Sequence, residues 1–559
     1  MTAAPGIAEV PGIPLLGYPG RWSVRAGERL EFMVSADVAG YEAEIIRITG
    51  RGPRPDGSPP LSYVRVPSEV DGTYPGAVHQ TVSGSYGTCD QVRSSAAGEG
   101  SLAAWVYPTL PALGRWQGIL TWLDQDGQGA LALGLDGDGY LALRYRHADG
   151  GAGLLRGPGP LEAGRWYYAA ASSSPASGQL ALFCRERART DPEPAVVAGS
   201  ADLAAAALGT RAHVADLAAA ALGTRAHVAA LGPGPLKPGT PASVVDGSYN
   251  GKVDRPRLLP RALDPAGLAS LAEGAGDDGV LTGLRYANSP LRRVTGHDWS
   301  GRALDWRVCP AQYQAVWYHD DDLADACWPP AFAWQVPEDV RSGMYAARLT
   351  AGDREDVISF YVRPAAGARP APLAVLVPTF TYTIYANFYH PARWVTGGGG
   401  TEDEAANAFL GERRELGLSL YCKHRDGSGV AHVSARRPMV DQRPWHRIAT
   451  RGNAGRELSG DLYLLDWLEH SGLEYDTITD DDLHAEGAGL LMPYAGVVTG
   501  GHPEYVSEEM LDALGAYVGS GGNLAYLGGN GFYWVTTVAQ DAPHVLEVRR
   551  GRSGSRTWT

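Results

Sequence analysis

Gly501-His502-Pro503-Glu504-Tyr505 follows the apolar run Ala495-Gly496-Val497-Val498 and precedes Ser507-Glu508-Glu509. A short apolar run, a polar turn and an N-cap serine read as a buried strand, a loop and a helix. His502 and Glu504 therefore fall at the carboxyl end of a strand, where open α/β sheets place their chemistry. Two more runs end in the same way. Asn523-Leu524-Ala525-Tyr526-Leu527 leads into Gly528-Gly529-Asn530, and Leu373-Ala374-Val375-Leu376-Val377 leads into a stretch from Pro378 to Asn387 that carries Tyr382 and Tyr385. Between them, Ser459 to His470 has the pattern of a capped amphipathic helix and Leu473-Glu474-Tyr475-Asp476 that of a strand. Alternating strands and helices predict a parallel sheet with right-handed crossovers, here an α/β domain over residues 366–559. The chain stops shortly after another strand-like run, Val545-Leu546-Glu547-Val548, with no closing helix, so the polypeptide is expected to continue past Thr559.

Upstream of the linker Pro364 to Pro372 the period changes. In Glu28-Arg29-Leu30-Glu31-Phe32-Met33-Val34-Ser35, Leu30, Phe32 and Val34 share one face, which is strand patterning. Residues 1–80 thus form a β segment, and 280–365 a second one with Ig-like sandwich character that pairs with the first. Between them, 81–275 holds Ser101 to Thr109, Gly-rich hairpins such as Leu133 to Leu143, and Tyr249-Asn250-Gly251-Lys252-Val253-Asp254. These features resemble the concanavalin-like, laminin-G-like jelly roll. Inside it, Ala201–Val214 is repeated letter for letter as Ala215–Val228. Each copy is rich enough in alanine to predict helix, set as an insert in a surface hairpin.

The bulk numbers exclude several classes. At 559 residues the chain is too long for one core, and roughly three to five domains are expected. Gly 73 and Pro 39 make about a fifth of it, natural for short strands joined by tight turns. The net charge is −14, from 48 basic and 62 acidic residues, with no basic cluster, which excludes a nucleic-acid face. Cys89, Cys184, Cys309, Cys327 and Cys422 are odd in number and lack Cys-x-x-Cys spacing, so neither a disulfide framework nor a thiolate zinc site is expected. With no signal-like N-terminus and no long apolar span, a soluble cytoplasmic protein that does not contact membranes is predicted.

The candidate chemistry lies at the strand ends. Tyr385 follows one of them, and Tyr421 sits in Ser419-Leu420-Tyr421-Cys422-Lys423-His424-Arg425-Asp426-Gly427-Ser428-Gly429, a polar, Gly-interrupted loop. Phenolates and carboxylates are hard oxygen donors that suit a ferric ion, and three protein ligands leave positions open for water and substrate. His502 and Glu504 also have ordinary readings, as a hydrogen-bonded loop histidine and as an acid stabilised by a helix N-terminus. The run His319-Asp320-Asp321-Asp322-Leu323-Ala324-Asp325 fails the EF-hand spacing. It reads as solvated acids, and Asp480-Asp481-Asp482 as a helix cap.

The β front, the jelly roll, and an α/β domain with Thr379-Phe380-Thr381-Tyr382, Tyr385-Ala386-Asn387, Tyr421, Asp426-Gly427-Ser428-Gly429, Gly501-His502-Pro503-Glu504 and Gly528-Gly529-Asn530 together resemble the large subunit of N,N-dimethylformamidase. The resemblance implies an amidotransferase-like α/β domain that cleaves small N-substituted formamides at a mononuclear, non-haem ferric iron held by two tyrosines and one glutamate. It makes Glu504 the carboxylate ligand and Tyr421 one phenolate. The other is Tyr385, preferred for its place beside Asn387, or Tyr382. His502 and Asn530 become proton-relaying and substrate-orienting groups alongside Glu504. The resemblance also implies a small partner subunit, a hetero-oligomer, and further active-site residues beyond this endpoint. Two other readings are open: a carbohydrate-binding or carbohydrate-processing protein that stacks sugars on Trp105, Trp116 and Trp122, and a non-catalytic assembly subunit.

Overall fold

The computed structural model describes residues 15–50, 61–93, 99–124, 129–146, 152–187, 207–214, 222–228, 247–273, 278–389, 402–446 and 455–549. Three bodies make up the described residues, two of β-sheet and one of mixed α/β, and the second is inserted within the first. The strand Gly40–Gly50 pairs antiparallel with Gly343–Ala351, which pairs in turn with Arg354–Arg363. A three-stranded sheet, in the order Leu15–Pro19, Arg29–Ala36, Pro330–Gln335, packs on that larger sheet. Leu30, Phe32 and Val34 do share the buried face, against Trp334, Tyr345 and Phe360. The sequence from 15 to 75 and that from 330 to 363 thus interlace in one sandwich.

The central body is a pair of seven-stranded sheets, and all its strand pairs are antiparallel. They close on Leu102, Ile119, Trp122, Leu133, Leu143, Ala169 and Leu182, all under 4 % exposed. The short strands Arg285–Ala287, Leu291–Val294 and Ala315–Tyr318 sit on the margins of these sheets and not with Gly343–Arg363. Trp105, Trp116 and Trp122 are buried, so none offers an open ring face to a sugar.

The duplicated segment departs from its predicted helix. Ala207–Val214 pairs antiparallel with Gln179–Glu186 in one sheet, and Leu222–Val228 pairs with Gln117–Asp124 and Tyr86–Cys89 in the other. The preference of alanine for helix is worth only a few tenths of a kcal/mol per residue over most others, about what strand context can overturn. The more alanine-rich halves, 201–206 and 215–221, lie outside the described residues.

The C-terminal body holds four parallel strands: β1 (Leu373–Val377), β2 (Tyr475–Thr479), β3 (Gly496–Thr499) and β4 (Asn523–Ala525), in the order β2-β1-β3-β4. Helix α1 (Thr379–Tyr385) follows β1, α2 (Leu458–Ser471) precedes β2, α3 (Asp480–Glu486) follows β2, and α4 (Glu508–Gly519) joins β3 to β4. Ser507 caps α4, its Oγ accepting from the Met510 amide at 3.3 Å. Thr479 caps α3 in a capping box with Asp482, so the three aspartates occupy the first turn and Asp480 is buried there, not solvated. His319, Asp320, Asp321 and Asp322 are likewise buried, because they pack against the hairpin 423–429 and meet its charged groups. All five cysteines are free thiols. Among the described residues no helix is long and apolar enough to cross a membrane.

Candidate functional site

In the strand order β2-β1-β3-β4 the chain turns back between β1 and β3, which opens a crevice at their carboxyl ends. Tyr385 reaches that crevice from β1. Helix α1 is wholly buried and ends where Ala386 turns extended and Asn387 adopts φ 62, a left-handed conformation that asparagine tolerates. The Asn387 side chain holds this turn, donating to the carbonyls of Leu416, Gly417 and Pro438 and accepting from the Val440 amide. Tyr421 arrives on the long segment between α1 and α2. The Leu420 amide and Ser419 Oγ both donate to the Ile384 carbonyl, at 3.1 and 2.9 Å, lacing that segment to α1. Arg437, 1 % exposed, completes the lacing by donating to the carbonyls of Thr383, Ala386, Leu418 and Ser434. The two tyrosine rings stack at 4.4 Å.

Glu504 comes from the loop after β3, held by a 3.1 Å hydrogen bond from its amide to Thr381 Oγ1. The three oxygens converge. Tyr385 Oη lies 2.7 Å from Tyr421 Oη and 2.7 Å from Glu504 Oε2, and Tyr421 Oη is 3.4 Å from Glu504 Oε1. Tyr382 is elsewhere: it is fully buried, and its hydroxyl donates to Asp461. His502 bridges two acids, with Nε2 3.2 Å from Glu504 Oε2 and Nδ1 3.1 Å from Glu457 Oε1. Asn530, on the loop after β4 and exposed, has Nδ2 3.4 Å from His502 Nε2.

Burial raises the Tyr385 phenol far above its ordinary value, and the neighbouring Tyr421 and Glu504 raise it further. Burial also works to raise the Glu504 carboxyl, but hydrogen bonds from His502 and Tyr385 outweigh it and leave the group below its usual range. For His502, desolvation disfavours the imidazolium, yet Glu457 and Glu504 lift it to about 9. The Tyr385 phenol therefore stays neutral as it stands, beside a carboxylate and an imidazolium.

Four further neighbours surround the cluster. Tyr505 Oη is 2.6 Å from Tyr421 Oη, the Arg456 guanidinium lies 4.1 Å from the Tyr385 ring centre, and Glu457 holds His502. The fourth, Asp461, accepts from Tyr382 and from the Gly501 amide. Only Tyr505, adjacent to Glu504, was within reach of a motif. The other three precede or begin α2, and nothing in the spacing links that helix to the loop after β3.

Burial raises the Asp461 carboxyl to about 6, against the pull of its two donors. A carboxyl whose folded value exceeds its unfolded one favours the folded state while protonated, so this contribution is full below about pH 4 and is lost as pH rises through 6. Asp461→Asn is expected to leave the melting temperature unchanged near pH 4 and to raise it near pH 7.5, by on the order of 2 kcal/mol in stability. Thermal melts at the two pH values check this, and equal shifts at both would contradict it.

Residues 291–559 match a family profile described as N,N-dimethylformamidase beta subunit-like, C-terminal. Over 585 aligned residues the chain is 32% identical to the N,N-dimethylformamidase beta subunit of Paracoccus aminophilus and 33% identical to that of an Alcaligenes species. Each alignment covers 98% of this chain and 75% of the relative. Among solved structures, a heptameric SAP-like pentraxin from Limulus polyphemus aligns with 44% of this chain and 91% of its own, at 11% identity and a TM-score of 0.27. A Ruminococcus gnavus IT-sialidase CBM40 bound to α2,3-sialyllactose covers 34% of this chain and 94% of its own, at 12% identity and a TM-score of 0.23. At such scores neither bears on fold or function. The two sequence matches run nearly from end to end, and on them the chain belongs to the N,N-dimethylformamidase beta subunit family.

Proposed function

We propose that the chain hydrolyses small N-substituted formamides, N,N-dimethylformamide to dimethylamine and formate, at a mononuclear ferric ion held by Tyr385, Tyr421 and Glu504. The observation that carries this is the meeting of three hard oxygen donors, remote in sequence, at 2.7–3.4 Å in a half-buried crevice. The donor set fits the ion. The Tyr385 phenol resists ionisation where it stands, so a phenolate there beside a carboxylate calls for a compensating cation of high charge. When bound, ferric iron supplies Lewis acidity toward a formyl oxygen and acidifies water.

The chain's own groups do the rest. Glu457 fixes His502 through Nδ1, which leaves Nε2 facing Glu504 and Asn530. A proton at Nε2 is placed to reach the departing amine nitrogen, so that a good leaving group, the neutral secondary amine, is expelled. Asn530 Nδ2 is an amide donor at the mouth of the crevice and orients the formyl oxygen, where removal of such a donor elsewhere costs about 2.7–4 kcal/mol. The balance is amide plus water giving amine plus formate. An amidotransferase-like assignment for the α/β body accords with its strand order, and a small partner subunit and hetero-oligomer accord with the relatives' designation as beta subunits. A cytoplasmic location accords with five free thiols.

The test uses the full chain as purified. One iron per chain, a visible phenolate-to-iron absorption band and release of dimethylamine from N,N-dimethylformamide are expected. Hydrolysis that persists at full rate after complete iron removal would overturn the proposal, as would an iron-loaded protein that cleaves no formamide.

A further inference from the structure

A cavity of about 680 Å³ lies between the central sandwich and the hairpin that follows Tyr421, in the size range of small-molecule sites. Its sandwich wall is the outer face of one seven-stranded sheet. Val106, Val253 and Val316 stand side by side on three adjacent strands and turn into the core. Their sequence neighbours Tyr107, Lys252 and Trp317 turn the other way, because side chains alternate along a strand, and the register sets Lys252 between the two aromatic residues. The Lys252 ammonium lies 4.7 Å from the Trp317 ring centre and 5.3 Å from that of Tyr107, and it donates to Thr295 Oγ1 at 2.8 Å. All three of these neighbours line the cavity.

Lys252 is 9 % exposed, and burial pulls it down to about 8 against the opposing pull of Asp254. That acid is committed to His297, whose Nδ1 and amide lie 2.6 and 3.0 Å from its Oδ2. An ammonium carries three donors and Thr295 takes one; among the described residues Nζ makes no other hydrogen bond and no ion pair. Arg187 and Lys423 line the same cavity, whereas no aspartate or glutamate among the described residues does. A chain of net charge −14 thus gathers three cations around one space. The rest of the wall is apolar or aromatic: Trp166 and Trp299 add two half-buried rings, and Leu420 and Val430 face them from the C-terminal body. A buried ammonium short of partners calls for an anion, and such walls call for a flat, apolar body.

We propose that this cavity binds an aromatic monocarboxylate, with its carboxylate on Lys252 and its ring among Tyr107, Trp166, Trp299 and Trp317. Such an occupant touches the sandwich and the Tyr421 segment at once. A neutral formamide has no charge for Lys252 to meet, and formate has the charge without the ring, so the site is distinct from the one that would hold substrate or product. It stands without the iron reading, because Lys252 belongs to the sandwich and lies outside the three-oxygen cluster.

The test uses the full chain freed of metal with a chelator, so that no carboxylate can bind through iron. Calorimetric titration with benzoate is expected to show one site per chain. Benzamide, of the same size but uncharged, is expected to bind about 10- to 100-fold more weakly, the worth of a hydrogen bond to a charged group. Formate, which keeps the charge and lacks the ring, is expected to bind at least about 10-fold more weakly than benzoate. Lys252→Met is expected to weaken benzoate about 10- to 100-fold and to bring it level with benzamide. Absence of benzoate binding, benzamide or formate equal to benzoate, or unchanged benzoate affinity in the Lys252→Met protein each overturns the proposal. If that variant does not fold, a crystal of the parent chain soaked in benzoate decides: a carboxylate on Lys252 supports the site, and one bound elsewhere overturns it.

Discussion

Glu504→Gln is expected to strip iron from the purified protein and to lower formamide hydrolysis by on the order of 10³-fold or more, about 4 kcal/mol in the barrier. The substitution keeps the side-chain volume and removes the charge, so it isolates the carboxylate from the packing around it. Glu504 is the carboxylate of the three-oxygen cluster, and it accepts from Tyr385 at 2.7 Å while facing His502 at 3.2 Å. A neutral amide there does not compensate a trivalent ion. His502 loses one of the two acids that lift it, so its value falls toward that of an ordinary histidine. Three readouts should move together: iron content, the colour of the protein, and the rate. An iron-loaded, coloured and active Glu504→Gln protein would remove Glu504 from the proposed ligand set, whereas a colourless, inactive one that still melts like the parent would support it.

The second large effect is structural. Arg437→Met is expected to destabilise the C-terminal body by about 3–5 kcal/mol, the range found when one side of a buried, fully bonded charge is removed. Burial pulls this guanidinium down to about 10 against the opposing pull of Asp441 and Cys422, yet it stays charged at neutral pH and its donors go to four main-chain carbonyls. Two of those carbonyls belong to the end of α1 next to Tyr385, and one to Leu418, three residues ahead of Tyr421. Methionine fills much of the same space but leaves all four acceptors unmet. The two rings would lose their common register, so iron affinity should fall along with the melting temperature. Arg437→Lys should rescue little, because a single ammonium cannot span the four acceptors that the planar fork reaches. If Arg437→Met melted within about 1 kcal/mol of the parent and kept its iron, the lacing would be shown to be dispensable.

Much of the C-terminal body was legible in the sequence, for reasons that can be named. Leu373–Val377 and Gly496–Thr499 are short apolar runs bounded by turn residues, and Ser507 stands where a cap belongs, so local chemistry alone places β1, β3 and α4. Leu30, Phe32 and Val34 alternate because one face of their strand is buried. Tyr385 and Glu504 sit just past strand ends, and strand ends in such a sheet converge. What escaped the reading depends on contacts across long sequence gaps. Glu457 and Asp461 meet the loop after β3 only because α2 packs beside it, and no periodicity records that packing. The run His319 to Asp322 looks like any exposed acidic turn until His424 and Arg414 are brought against it from about a hundred residues away. The repeated alanine-rich segment misled for the opposite reason: its composition speaks for helix, and strand pairing, at a sheet edge for one copy and between two strands for the other, overrules it.

Tyr421 hangs from an excursion that is fastened on one side to α1 and on the other to the turn of the sandwich carrying His319 and Asp321. The C-terminal half of the chain therefore does not own all of its own scaffolding. Recombination that exchanged the sandwich for another module of similar shape would hand the α/β body a foreign surface at the place where one of its phenols is aimed. Exchange or loss of the sandwich is thus expected to take that support away from the α/β body.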